Sequence, residues 1–478
     1  MTSFDHLERH AHLAPERIAL VAGRTSLSYG RFHADAMRTT CALAEHGVAR
    51  GEIVLVSHPD PYAHWLMLVA CECLGAVSVS IPGGNALADS PAVRAASHAF
   101  VEGAVPPEAR RARPCLADGR WLQRVLDRPL AACRGHPRVE LPADAAVRLT
   151  HSSGTTGRHK AMALSRGAQE RKLDVLHTMS GLARDSGILL TMPFAVNSAW
   201  LQASLALRLG ARVVAAPLAE ALHDHGVTHA EVLPLALDAM LDELPPGFAK
   251  PARFSITVIG APLPARLRER ALASLCTAMS SRYGANEAWP IAAGLEDGVG
   301  TLCQGVAARI VDAGGDDVPA GHAGQIAVSS PTMVDGYFGD AEATRRHFRD
   351  GWFLTGDLGR LRSPRTVELL GRVDDVLNYG GLKCSPAPIE ATLRTIPGMR
   401  DVAVLSFATG HTIDTLAVVA VLDRRVRPAD LVSAIRSATA DWPRVLLAPM
   451  ATLPVTAMGK LDRAALRSSL VADARFAA

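Results

Sequence analysis

The sequence has 478 residues, of which 49% are hydrophobic and 20% are charged. A chain of this length exceeds one compact core, so we expect two or three domains. Its 50 basic and 47 acidic residues leave a formal net charge of +3, which excludes a field strong enough to recruit nucleic acid or an anionic membrane surface.

The N-terminal ten residues are charged and lack the apolar core of a signal peptide. The most apolar stretch, Trp65–Pro82, contains Glu72, which favours a buried helix and strand over a membrane span. The eight cysteines lack metal-ligand spacing, as is typical of buried thiols in a reducing compartment. We therefore expect a cytoplasmic protein.

Strand-like and helix-like segments alternate along the first 300 residues. Ile53–Ser57 predicts a strand, Tyr62–Leu74 a helix and Ala76–Ile81 another strand. Further strand-like segments follow at 188–192, 212–216, 229–233 and 254–259, with a helix-like segment at 200–209. This alternation predicts an α/β fold in which mostly parallel sheets are covered by helices.

The pattern changes after about residue 300. Gln325–Ser329 and Thr366–Leu370 are strand-like and are separated by glycine turns, which predicts a small β-rich subdomain. A final block contains strand-like 402–405 and 416–422 and helix-like 428–439. We expect a large N-terminal domain over 1–373 and a small C-terminal α+β domain over 374–478.

One loop combines glycines, hydroxyl side chains and a lysine. Its residues are Ser152, Ser153, Gly154, Thr155, Thr156, Gly157 and Lys160. Backbone N–H groups and hydroxyls in such a loop can turn toward the pyrophosphate end of a nucleotide, where a lysine adds positive charge. The spacing differs from that of a Walker P-loop, and considered alone the run fits a solvated loop equally well.

Six further motifs follow in a consistent order: Tyr283–Glu287 (YGANE), 324–337, Trp352–Asp357 (WFLTGD), Gly371–Asp375 (GRVDD), Asn378–Lys383 (NYGGLK) and Pro454–Lys460 (PVTAMGK). Together with the loop, they resemble the adenylate-forming superfamily, which includes acyl-CoA synthetases, stand-alone and peptide-synthetase adenylation domains, and luciferases. The resemblance extends over nearly the whole chain. It implies a large domain followed by a small mobile domain, with ATP and Mg²⁺ as cofactors.

The resemblance assigns nucleotide-binding roles to several of these residues. Asp357 would accept hydrogen bonds from the ribose hydroxyls beside Arg372, and Tyr283 with Gly284 would lie near the adenine. Glu287 would hold Mg²⁺, a cation that takes one or two carboxylates together with phosphate oxygens. Considered alone, Asp357 fits a turn or cap, and Glu287 fits a solvated loop.

One residue of the Tyr283–Glu287 motif departs from the family pattern. Asn286 stands where the family usually has a threonine near the α-phosphate. Its amide can still donate a hydrogen bond, so we expect it to belong to the catalytic set.

The resemblance also implies two half-reactions in one site. Lys460 would place its ammonium at the carboxylate and α-phosphate during adenylation, although considered alone it fits a surface lysine. The small domain would then rotate about Asp374, which would withdraw Lys460 and bring Gly380 and Gly381 against the thiol tunnel. A side chain at these glycines would obstruct a pantetheine arm, yet a plain turn is the alternative reading.

The acyl pocket is expected around residues 192–200. Amino-acid-activating relatives usually carry an aspartate there, whereas this chain offers neutral Asn197, as many aryl-acid-activating relatives do. Phe194, Trp200 and Trp289 are candidate aromatic walls, and Gly260 with Ala261 resembles the acyl and aryl branches. Asn197 fits the N-cap of the following helix equally well.

These observations predict ATP-dependent activation of a carboxylic acid, a small aryl or other non-amino acid, as its acyl-adenylate. Because no carrier domain follows Lys460, we expect transfer to the thiol of CoA or of a separate phosphopantetheinyl carrier protein. One alternative is a non-thiol second step, as in amide ligases or nitrite-activating diazo-forming enzymes. Another is an inactive nucleotide-binding module, against which Glu287, Asp357, Arg372 and Lys460 together argue.

Overall fold

The structure is a computed structural model. It describes the chain except for residues 24, 83–86, 88–89, 134–137, 153–158, 374, 376, 380–381, 408–414, 424, 441, 443, 457–460 and 472–478. Nine of the site residues predicted from the sequence lie among these excluded positions.

The α-helices are α1 (Ser3–Leu13), α2 (Tyr29–Glu45), α3 (Pro61–Leu74), α4 (Pro91–Arg94), α5 (Gly119–Leu126), α6 (Arg166–Ser180), α7 (Asn197–Leu209), α8 (Leu218–His223), α9 (Pro234–Asp242), α10 (Ala265–Ser274), α11 (Ala341–His347), α12 (Ala387–Arg394), α13 (Pro428–Ala438) and α14 (Arg463–Val471). The strands of the first 260 residues are β1 (Ile18–Ala22), β2 (Thr25–Ser28), β3 (Ile53–Ser57), β4 (Val77–Ser80), β5 (His98–Val101), β6 (Arg113–Leu116), β7 (Ala146–Ser152), β8 (Lys160–Ser165), β9 (Gly187–Leu189), β10 (Arg212–Ala215), β11 (His229–Val232) and β12 (Ser255–Val258). The remaining strands are β13 (Ala278–Tyr283), β14 (Ala292–Glu296), β15 (Val299–Leu302), β16 (Ala307–Val311), β17 (Gly324–Ser329), β18 (Phe348–Arg349), β19 (Trp352–Ser363), β20 (Thr366–Arg372), β21 (Leu377–Tyr379), β22 (Leu382–Cys384), β23 (Met399–Phe407), β24 (Thr415–Leu422) and β25 (Val445–Met450).

Two large sheets form the first part of the molecule. One has the strand order β6-β5-β3-β4-β7-β8, and all its pairs are parallel except β7–β8. In the other, β1, β10, β9, β11, β12 and β13 are neighbours joined by parallel pairs. Helices connect these strands, so the predicted α/β class with mostly parallel, helix-covered sheets is confirmed.

The apolar stretch 65–82 folds as the sequence predicts. Asp60 caps α3 by accepting hydrogen bonds from two backbone N–H groups of its first turn, and Gly75 ends the helix at φ 68°. Trp65 is fully buried, and β4 lies in the middle of its sheet. No helix in the described part of the chain is long and apolar enough to cross a membrane.

Antiparallel pairing dominates after β13. The second sheet continues through β14, β15, β20, β19, β17 and β16, and all of these pairs are antiparallel, which confirms the predicted β-rich region. Beyond it, β23, β24 and β25 form a separate three-stranded sheet with its own apolar clusters. Arg400 ties this last block to α9 through Asp238 at 2.8 Å and Asp242 at 2.7 Å. The boundary at residue 373 stays a prediction.

The carboxyl group of Glu72 is buried between α3, α1 and α6. It accepts hydrogen bonds from the Ser3 backbone N–H at 2.5 Å and from Gln169 Nε2 at 3.2 Å. Burial raises the pKa of Glu72 from 4.5 to about 7, because a charged carboxylate is disfavoured away from water. The apolar segment therefore tolerates this glutamate as a hydrogen-bonded carboxyl group that keeps its proton up to about pH 7.

A Glu72→Gln variant should show a weaker loss of stability with rising pH. Between pH 4.5 and about 7 the folded state of the wild type binds more protons than the unfolded state, so its stability falls as the pH rises through this window. Across this window, the unfolding free energy of the variant should rise relative to that of the wild type by up to about 1.4 kcal/mol per pH unit. Urea unfolding from pH 5 to 8 measures this, and parallel profiles for the two proteins would contradict it.

Candidate active site

The ribose-binding candidates meet where the end of β13 approaches the neighbouring strands β19 and β20 through side-chain contacts. Asp357 and Arg372 are directly paired across β19 and β20, and Arg372 Nη1 donates to Asp357 Oδ1 at 2.8 Å. The hydroxyl of Tyr283, the last residue of β13, donates to Asp357 Oδ2 at 2.6 Å. Gly356 adopts φ 75°, and a Cβ there would lie 2.8 Å from Arg372 Nη2. The Thr-Gly-Asp motif therefore folds so that two donors fix one carboxylate.

Tyr283 is a neutral donor in this group. Burial, followed by the nearby Asp357 carboxylate, raises the pKa of Tyr283 well above its usual range. Each oxygen of Asp357 accepts one hydrogen bond from these fixed donors. A carboxylate oxygen can accept about two, so Asp357 keeps capacity for the two hydroxyls of a ribose.

Glu287 lies in the short 3₁₀ turn Asn286–Ala288 that follows β13. It is 5% exposed, and its Oε1 accepts a hydrogen bond from the Tyr337 hydroxyl at 2.9 Å. The backbone carbonyl of Glu287 accepts from Val334 N at 2.9 Å, so Val334 and Tyr337 both hold this residue in place. A single oriented carboxylate fits a Mg²⁺ ion that takes its other ligands from phosphate oxygens and water.

The Asn286 side chain joins the two sides of the candidate site. Its Nδ2 donates to the carbonyl of His151 at 2.7 Å, next to the end of β7, where the glycine-rich loop begins. Its Oδ1 lies 3.5 Å from Nδ2 of Asn197, the first residue of α7. Asn286 thus contacts both the strand that leads into the predicted phosphate loop and the residue predicted for the acyl pocket.

Lys172 supports the same turn and was not predicted from the sequence. Its side chain is fully buried, and Nζ donates to the Asn286 carbonyl at 3.1 Å. Burial lowers the pKa of Lys172 to about 7, opposed by the charge of Glu287. The one available signal was its position on the buried face of α6, with Ala168, Gln169, Leu173 and Leu176, a face where lysine is rare.

Lys160 lies at the other end of the glycine-rich loop. Residues Ser152 and Lys160 are paired across the antiparallel strands β7 and β8, so these strands hold the loop at both ends. Lys160 Nζ lies 2.8 Å from His347 Nε2 and 4.8 Å from the centre of the Tyr337 ring. Tyr337 therefore contacts both Glu287 and Lys160, although the sequence identifies it only as the end of the motif 324–337.

Several predicted site residues lie outside the described residues. These are Ser153, Gly154, Thr155, Thr156 and Gly157 of the loop, the hinge candidate Asp374, the tunnel candidates Gly380 and Gly381, and Lys460. Their roles stay predictions.

The structure corrects one reading of Asn197. Helix α7 begins at Asn197 itself, and its N-cap is Val196, which makes no side-chain capping bond. Asn197 is not the N-cap, because its own backbone has already joined the helix. The side chain is 1% exposed, and within the described part of the chain Oδ1 has no hydrogen-bond partner. A buried amide oxygen without a partner is costly, which favours a ligand-facing role.

The aromatic pocket candidates share one apolar cluster, but at different depths. Phe194 and Trp289 belong to it together with Ile259. Trp200 is fully buried, and its Nε1 donates to Gln169 at 3.2 Å, so this ring belongs to the interior of the cluster. Phe194 lies next to it, with ring centres 6.4 Å apart.

The glycines of the pocket region are explained by close contacts. A Cβ at Gly284 would lie 2.4 Å from Trp289 Cε3, so the tryptophan ring requires glycine there. Gly260 adopts φ 85°, and a Cβ would lie 2.7 Å from Leu233. Gly260 and Ala261 are exposed just beyond the carboxyl end of β12, the edge where parallel sheets place ligands.

The profile of the AMP-binding enzyme family matches residues 7–338. The match covers most of the chain and includes the loop, the Tyr283–Glu287 motif and the turn that contains Glu287. The chain therefore belongs to the AMP-binding enzymes, the adenylate-forming superfamily that its motifs resemble.

Individual relatives match over almost the full length. Indoleacetate–CoA ligase of Aromatoleum aromaticum is 28% identical, and the alignment covers 98% of both chains. Salicylyl-CoA synthase/salicylate adenylyltransferase of a Streptomyces species is 26% identical over 97% of this chain and 92% of that protein. The crystal structure of ATP-bound MatB from Rhodopseudomonas palustris has a TM-score of 0.84 at 21% identity, covers 98% of this chain and 99% of its own, and shares the fold.

Proposed function

We propose that this protein activates a small aromatic carboxylic acid with ATP as its acyl-adenylate and then transfers the acyl group to a thiol. The observation that carries the proposal is the position of Asn286, whose side chain contacts the His151 carbonyl and Asn197. Glu287, the proposed Mg²⁺ ligand, directly follows Asn286 in the chain. These contacts support a site in which a nucleotide half and an acid half would lie on either side of Asn286.

In the first step, an oxygen of the substrate carboxylate attacks the α-phosphorus of ATP. A new P–O bond forms, the α–β phosphoanhydride bond breaks, and pyrophosphate leaves with the electron pair. Asp357, Tyr283 and Arg372 would orient the ribose, and Asn286 would donate toward the α-phosphate. Glu287 would hold Mg²⁺, which offsets phosphate charge when bound.

In the second step, a thiolate attacks the acyl carbonyl, the mixed anhydride opens, and AMP leaves. The thiol belongs to CoA or to a phosphopantetheinyl carrier protein. We propose that the small domain turns about Asp374 between the steps and that Gly380 and Gly381 then line the path of the pantetheine arm. Such a rotation would let one cleft assemble two sets of groups in turn.

An aromatic acid without an α-amine fits the acid half of the site. Asn197 is neutral, so a buried ammonium would lack a counter-charge there. Phe194 and Trp289 supply an aromatic environment. The full-length relatives described above are named for indoleacetate and salicylate, which are both aromatic acids.

ATP–pyrophosphate exchange with a panel of acids tests the proposal. The panel should contain benzoates, phenylacetates, cinnamates, short and long fatty acids and α-amino acids, each at saturating ATP and Mg²⁺. The proposal expects exchange with at least one aromatic acid, followed by thioester formation with CoA or a carrier protein. Preference for a fatty acid or an α-amino acid would overturn the substrate class, and the lack of any exchange would overturn adenylation.

Asn197→Asp should lower kcat/KM for the best aromatic acid by about 10-fold or more. The substitution puts a charge on a buried side chain that faces the substrate, and desolvating that charge opposes binding of a neutral ring. Exchange kinetics of wild type and variant measure the change. Gln123→Glu, an equal change of charge on an exposed residue of α5, is the control, and unchanged kinetics in Asn197→Asp would remove this residue from the pocket.

A further inference from the structure

A small cavity lies between α7 and the carboxyl ends of β9 and β11. Its volume is about 10 Å³, and Thr191, Met192, Gln202 and Glu231 contribute to its lining. This is room for about one water molecule or one hydroxyl or amino group. Apolar residues form the remaining wall, so the polar character of the cavity comes mainly from Glu231 and Gln202.

Glu231 brings an unsatisfied carboxylate oxygen to this cavity. Its side chain is 4% exposed, and Oε2 accepts hydrogen bonds from Gln202 Nε2 and Arg282 Nη1, both at 3.1 Å. Its Oε1 is buried and has no partner among the residues that the structure describes. Leaving a buried acceptor unpaired is unfavourable, and a bound donor group would remove that cost.

The cavity adjoins the segment predicted for the acyl pocket. Met192 and Ala199, which both belong to residues 192–200, line it together with Glu231. A substrate bound along this segment with its carboxylate near Asn286 would place the end remote from its carboxylate toward Glu231.

We infer that Glu231, positioned by Gln202 and Arg282, is a specificity subsite for a neutral O–H or N–H donor at the remote end of the acid. The inference rests on the proposed function and deepens it. Because the charge of Arg282 already offsets that of Glu231, an ammonium would gain no net counter-charge there. The pair instead offers one acceptor oxygen, which selects a phenolic hydroxyl or an aromatic amine over an apolar substituent.

The first test compares matched acids with the wild-type enzyme by ATP–pyrophosphate exchange. Benzoates, phenylacetates and cinnamates carrying an amino or hydroxyl group at the 3- or 4-position are set against the methyl-substituted and unsubstituted acids. The best donor-bearing acid should exceed its own methyl analogue by at least about 10-fold in kcat/KM, because the analogue leaves Oε1 unpaired. Equal values for donor-bearing and methyl acids would overturn the subsite.

The second test uses Glu231→Gln. Both existing partners of Oε2 are donors, so the amide oxygen of the variant must face them and its NH₂ group must face the cavity. The acceptor becomes a donor, and the preference for an amino-substituted acid should fall to within about 2-fold of its methyl analogue. Glu296→Gln, at a glutamate whose side chain is 70% exposed, is the matched control and should keep the wild-type preference.

The outcomes separate the two proposals. A Glu231→Gln variant that retains the full wild-type preference for the amino-substituted acid over its methyl analogue would overturn the subsite. Exchange with no aromatic acid at all would overturn the proposed function and this inference with it, whereas exchange that ignores the remote substituent would overturn the inference alone. The wild-type comparison does not depend on the folding of any variant, and the melting temperature of Glu231→Gln shows whether its kinetics report on a folded enzyme.

Discussion

In the Asp357→Ala variant, kcat/KM for ATP in pyrophosphate exchange should fall by about 10²-fold or more. The carboxylate is fixed by Tyr283 and Arg372 at 2.6 and 2.8 Å, so it is preorganised to accept hydrogen bonds from ribose. A hydrogen bond to a charged group is typically worth about 1.5–3 kcal/mol, and the variant would lose two. Exchange rates across a range of ATP concentrations measure the change, and the greater part should appear in KM.

Two further variants identify the cause of that loss. Tyr283→Phe removes one donor to Asp357 while leaving the carboxylate, so its effect should be smaller than that of Asp357→Ala. Asp316→Ala removes a carboxylate from an exposed turn and should leave the exchange kinetics unchanged. An unchanged KM for ATP in Asp357→Ala would show that this carboxylate does not bind the ribose.

The local patterns of the sequence were sufficient for much of the fold. Helix α3 has a capping aspartate, a proline in its first turn and a terminal glycine, which are all signals within a few residues of the helix. The start of α7 lacked such a signal, since Val196 makes no side-chain cap, and the helix-like pattern from residue 200 placed it three residues too late. Propensity locates an element better than it locates its ends.

The residues of the candidate site also fall into two groups: those that belong to a local motif and those that only tertiary contacts reveal. Asp357 and Arg372 were recognisable because each belongs to a short motif, and the structure pairs them directly. Lys172, Gln202 and Glu231 belong to no motif. Their relevance depends on contacts such as that of Lys172 with Asn286, 114 positions away, or that of Glu231 with Arg282, 51 positions away. Such contacts follow from tertiary packing, which no local pattern reveals.

Lys460→Ala should reduce adenylate formation by about 10²–10³-fold and largely spare thioester formation from a synthetic acyl-adenylate. A fixed cationic donor where negative charge builds is typically worth about 2.7–4 kcal/mol in the transition state. The thiol-transfer step begins after that charge has left with pyrophosphate. Lys460 lies outside the described residues, so the expectation rests on the Pro454–Lys460 motif and on its described neighbours.

Those neighbours tie the motif to other residues of the predicted small domain. Val455 and Leu461 are paired in an antiparallel bridge on either side of the segment. Arg463, at the start of α14, donates to Asp375 at 3.1 Å and to Glu390 at 2.6 Å. Asp375 directly follows the hinge candidate Asp374, so a rotation about that hinge would carry the base of the lysine-bearing segment with it.

The two half-reactions must therefore be measured separately. Pyrophosphate exchange reports the first step, and AMP release from the synthetic adenylate with CoA or carrier protein reports the second. Lys250→Ala removes an exposed lysine and should alter neither rate. If Lys460→Ala slows both steps equally, the lysine acts in both and the alternating roles of the small domain are excluded. If it slows neither, the Lys460 ammonium does not stabilise the transition state of adenylation.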